Sequence, residues 1–77
     1  MYGLILAATV QCADYDTVTQ RLAEQFDETM VMTTPDMDGN ILELYSSDTG
    51  TWTLLLNLQE EGLACMISSG STNTVSA

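Results

Sequence analysis

Apolar residues between positions 13 and 26 recur at steps of three and four: Tyr15, Val18, Leu22 and Phe26. That spacing puts them on one face of a helix and predicts an α-helix over about residues 14–26. Asp14 or Asp16 can cap its first turn, where a carboxylate also meets the positive end of the helix dipole. Thr17, Gln20, Arg21 and Glu24 fall on the opposite face. The helix runs out on Asp27 and Glu28, the unfavourable charge for a helix C-terminus. Two readings follow. Both carboxylates are solvated beyond Phe26, or a cationic partner meets Glu24, Asp27 and Glu28.

After residue 28 the period changes from helical to alternating. Residues 29–34, 41–45, 51–58 and 63–68 are short runs of strand-forming residues. They are separated by PDMDGN, SSDTG and QEEG, all rich in turn residues. Such spacing predicts an antiparallel β-meander of three to four strands. With one helix on one face, the fold class is α+β. Residues 1–70 form one small domain, and 71–77 read as a polar flexible tail.

Alternation selects a face for burial. In TWTLLLNL, Trp52, Leu54, Leu56 and Leu58 share one side, and Thr51, Thr53, Leu55 and Asn57 the other. Leu42 and Leu44, then Leu63, Cys65 and Ile67, join the first side, so the expected core is this leucine face with Trp52 in it. Leu55 is then the apolar exception on the wet side. With Tyr45 and Met66 it makes an exposed apolar patch, of the kind that marks a dimer or partner surface, unless the N-terminal run folds back over it.

That run, residues 3–10, is too short to cross a bilayer, which needs about 20 apolar residues. No Lys or Arg precedes it, and residues 1–12 carry no good cleavage site, so it makes a poor secretory signal. It suits a further N-terminal strand.

Charge then narrows the partners. Among 77 residues there are eleven acids, one Arg, no Lys and no His, for a net charge of −10. With 45% hydrophobic residues the chain is apolar enough to fold, so its acidity belongs to its surface. Such a surface cannot neutralise phosphate, which excludes nucleic acid and anionic membrane as partners. Solubility is the simplest account of it, and a basic protein surface is the partner it permits.

Little in the chain carries chemistry. Asp36, Asp38 and Asn40 resemble the start of a calcium loop, but the glycine falls at the fourth position and Ser47 at the twelfth, where the loop needs glycine sixth and glutamate twelfth. A tight hairpin at Asp38-Gly39 explains the stretch better. Without His or a CxxC pair, no metal site is expected, and a thiol nucleophile has no base beside it in sequence. No catalytic residue and no cofactor is assigned. Cys12 and Cys65 are either two buried thiols or one disulfide; a bridge between them would close a loop of about fifty residues, worth ~4 kcal/mol in the chain-entropy account.

Cys12, Val18, Leu22-Ala23-Glu24, Phe26-Asp27-Glu28, Gly50-Thr51-Trp52-Thr53, Gly62-Leu63-Ala64-Cys65 and Gly70 together resemble a group of small proteins of alphaproteobacteria and of the phages that infect them. The resemblance spans residues 12–70 and rests chiefly on Trp52 and the two cysteines. Bacterial members of the group look exported, which implies a Cys12–Cys65 bridge. This chain departs from them in its poor signal and its polar tail, which fits a phage-borne version and the host cytoplasm; a closed bridge would favour a periplasmic or secreted setting. The resemblance implies a fold and no activity.

The expectation from the sequence is therefore a non-enzymatic interaction module, a phage or bacterial accessory protein that meets a basic surface on a protein partner. The alternative is a secreted, disulfide-stapled structural protein that acts by self-association, with Tyr45, Leu55 and Met66 as its homodimer face.

Overall fold

A computed structural model describes residues 11–72. The strand expected of residues 3–10, and most of the expected tail, lie outside them. The described chain is an α+β fold of one helix on a five-stranded antiparallel sheet: β1 (Gln11–Asp14), α1 (Tyr15–Phe26), β2 (Thr29–Pro35), β3 (Ile41–Ser46), β4 (Thr51–Leu58) and β5 (Leu63–Ser71). The spatial order is β1-β5-β4-β3-β2. Strands β2 to β5 form the expected meander, and β1 adds itself outside β5. Beyond β5, the Thr72 amide donates to the Gly50 carbonyl at 2.8 Å, so pairing reaches past residue 70.

Local chemistry accounts for the helix. Asp14 caps it, its carboxylate accepting from the Thr17 amide at 3.0 Å and the Thr17 hydroxyl at 2.9 Å. Those bonds hold the Asp14 carboxyl below its usual pKa. At the other end Asp27 takes the left-handed conformation at φ 55°. The Glu28 amide then donates back to the Leu22 carbonyl at 3.0 Å, which closes the last turn.

Each neighbouring pair of strands is antiparallel, so β1 and β2, four steps apart, run parallel at opposite edges, and α1 is the crossover that joins them.

The face that α1 covers is not the expected one. Leu22, Val18 and Tyr15 pack on Tyr45, Leu55 and Ala64. Leu55 is 0% exposed and Thr53 is buried beside it, whereas Trp52, Leu54, Leu56 and Leu58 are only half-buried. A crossover between parallel strands is right-handed in nearly all sheets. Strand order, rather than relative hydrophobicity, therefore decides which face the helix takes. Ile67 also leaves its expected row. Leu54 pairs with Ser68 and Leu55 with Met66, so Ile67 bulges out of register and is exposed.

Cys12 and Cys65 are paired across β1 and β5 and are joined as a disulfide. Further along β5, Gly70 lies opposite Trp52. A Cβ there would sit 2.9 Å from the indole Cζ2, so the absent side chain is what lets the ring lie across the strand.

Candidate interaction surfaces

Beneath α1 the sheet carries a polar cluster that hydropathy alone does not show. The Tyr15 and Tyr45 hydroxyls donate to Glu43 Oε1 at 2.8 and 2.7 Å, and Asn57 Nδ2 donates to Glu43 Oε2 at 3.0 Å. The two hydroxyls lie 3.2 Å apart. Glu43 is 4% exposed, and three donors satisfy its carboxylate where an unpaired one would be costly. Burial raises the pKa of both phenols, and the Glu43 carboxylate raises each further. The cluster ties the start of α1 to β3 and β4. Strand alternation places Glu43 with Tyr45, opposite Leu42 and Leu44 and so on the face expected to be wet; what could have revealed the cluster is Tyr15, a hydroxyl-bearing ring on the apolar stripe of the helix.

From β2 to β5 the opposite face of the sheet is uncharged and largely apolar, with Thr34, Ser46 and Ser68 among its leucines. It presents Leu42 and Leu44 of β3, Trp52, Leu54, Leu56 and Leu58 of β4, and Leu63 of β5, all half-buried. Met32 of β2, 57% exposed, extends it to the sheet edge. Between β2 and β5 no charged residue occupies this face, and no helix among the described residues covers it.

The charge is gathered elsewhere. β2 ends and β3 begins where β4 ends and β5 begins, so turns 36–40 and 59–62 adjoin. Asp38, Asn40, Leu58, Glu60 and Glu61 line one hollow of ≈ 330 Å³. β1 finishes at the same end, where the Tyr15 amide donates to the Gly62 carbonyl at 2.9 Å. Asp14, Asp16, Asp36, Asp38, Glu60 and Glu61 therefore share one end of the molecule, six of the eleven acids. Asp36 is engaged with its own turn, Oδ1 accepting from the Asp38 and Asn40 amides at 2.8 and 3.0 Å. That is the hairpin expected at Asp38-Gly39, with Gly39 at φ 86°. Among the described residues no three metal-binding side chains converge.

The expected interaction residues separate. Tyr45 and Leu55 do share a face with Met66, but that face lies under α1, and both are buried, 6% and 0% exposed. The exposed patch they were expected to form is therefore absent. Met66 remains 42% exposed. It opens into a ≈ 270 Å³ groove between α1 and β1/β5, beside Phe26, Val18 and Arg21. Glu24 and Asp27 are exposed, as expected of solvated acids. Glu28 is not. It is 2% exposed, and its Oε1 has no hydrogen-bond partner among the described residues. Compared with known proteins, the chain matches no family, no curated protein and no solved structure.

Proposed function

We propose that the protein is a non-enzymatic interaction module, a phage or bacterial accessory protein, whose acidic end docks on a basic surface of a protein partner. The observation that carries this reading is the collection of six carboxylates at the end formed by turns 36–40 and 59–62 and the β1–α1 junction. Only one cation exists in the chain to offset them. Carboxylates concentrated at one end steer a basic partner to that end and speed encounter in a salt-dependent way. The turns are short and braced, by the Asp36 side chain in one and by the Gly62 amide donating to the Leu58 carbonyl at 3.0 Å in the other. The charges are thus held in place before binding. The Cys12–Cys65 bridge favours a periplasmic or secreted setting for this encounter.

The test is affinity capture from the native source at low salt, comparing the wild type with a variant carrying Asp38→Asn, Glu60→Gln and Glu61→Gln. A basic protein retained by the wild type, released by added salt and missed by the variant supports the reading. Capture that ignores both the salt and the substitutions would falsify it.

A further inference from the structure

We propose that two copies of this chain pair through their leucine–tryptophan sheet faces, giving a four-layer dimer with both α1 helices outermost. The surface adjoins the acidic end only at Leu58, and the proposal does not depend on the docking reading above.

Three observations lead to a second copy rather than to another occupant. The first is how little core the described residues have. Among them the buried apolar side chains are Leu22, Tyr45, Leu55, Ala64 and Cys65, while seven large ones are only half-buried on the face opposite α1. Small domains with so thin a core are commonly completed by association.

The second is area. Four strands ~4.8 Å apart and about eight residues long at ~3.3 Å each present roughly 500 Å² in projection. Two such faces bury about 1,000 Å², which reaches the threshold for a specific contact. Sheets stacked ~10 Å apart and within ~30° of alignment interdigitate such side chains as in a β-sandwich.

The third is charge. A basic partner has no counter-charge to meet here, because no charged residue lies on this face between β2 and β5. An uncharged face is complementary to itself. With the twofold axis across the strands, the six-acid end of one copy lies over the Asp48 end of the other, and the two strongly acidic ends stay apart. That arrangement is the one we propose.

Sedimentation equilibrium of the full-length, disulfide-intact protein over a concentration series tests it. We expect a monomer–dimer equilibrium that tightens several-fold between low and high salt, because two chains of −10 repel until screened. Leu54→Glu should weaken the dimer by about a hundredfold or more, since each copy then buries an unpaired carboxylate. Phe26→Ser, on the helix side, should leave it unchanged. Circular dichroism shows whether Leu54→Glu still folds. If it does not, acrylamide quenching of Trp52 in the wild type serves instead, and should fall as concentration rises. A monomer at every concentration overturns the proposal. So does a dimer that survives in folded Leu54→Glu, or one that Phe26→Ser breaks.

Discussion

Leu55 sits in the middle of Leu54-Leu55-Leu56, and nothing in that run says which of the three is core. Placing Leu55 against α1 makes it the one large side chain with no exposed surface among the described residues. Leu55→Ala should therefore cost about 3 kcal/mol, by lost burial and by the cavity left behind. Leu56→Ala, on the bare face, should cost about 1 kcal/mol. Urea unfolding at low protein concentration measures both, and the reverse order would return the core to the leucine face. The Glu43 cluster gives a prediction of opposite character. Tyr15 and Tyr45 are held protonated by the fold, so their pKa lies above the unfolded value. Their contribution is complete below about pH 10, the unfolded phenol value, and is lost as pH climbs beyond it. Tyrosinate absorbance from these two rings should thus appear together with alkaline unfolding rather than before it. Tyr45→Phe should flatten that pH dependence. Early ionisation of all three tyrosines with the fold intact would contradict the geometry.

The elements themselves were legible in the sequence. The three- and four-residue steps give α1 its true extent, and the turn clusters divide β2 to β5 because Gly, Asn and Asp relieve local backbone constraints. Other features arise from contacts that no local pattern records. β1 is four residues long, too short for alternation to register, and exists by pairing with β5. The choice of sheet face follows from the β1–α1–β2 crossover, and the Ile67 bulge from the register between β4 and β5. So short a strand makes the disulfide decisive at this scale. The Cys12–Cys65 bridge spans 53 residues, and removing it should cost ~4 kcal/mol in the chain-entropy account. Domains of this size have roughly 4–12 kcal/mol in all. Reduction should therefore lower the urea midpoint sharply, with β1 and the first turn of α1 losing amide-exchange protection first. Equal protection with and without reductant would mean that pairing alone holds β1.

At the scale of the whole molecule, an acidic end can serve solubility or recognition, and the two differ in what neutralisation does. Six carboxylates at one end repel one another, and the repulsion is screened by salt. Asp38→Asn, Glu60→Gln and Glu61→Gln together should raise the urea midpoint in dilute buffer and reduce its rise with added salt. None of the three side chains accepts a hydrogen bond from another described residue that the change would break. If the acids serve solubility alone, the stabilised variant should capture whatever the wild type captures, since the rest of the surface is untouched. If they form a docking end, the variant should be the more stable protein and the poorer binder, as expected where function retains charges at a cost in stability. The proposed dimer supplies an internal control, because Asp38, Glu60 and Glu61 lie outside its contact. Salt should tighten it while loosening the basic partner. One salt series on wild type and variant, read by sedimentation and by capture, therefore separates the two surfaces. If both contacts respond to salt in the same direction, the assignment of charge to the end and apolar contact to the sheet face fails.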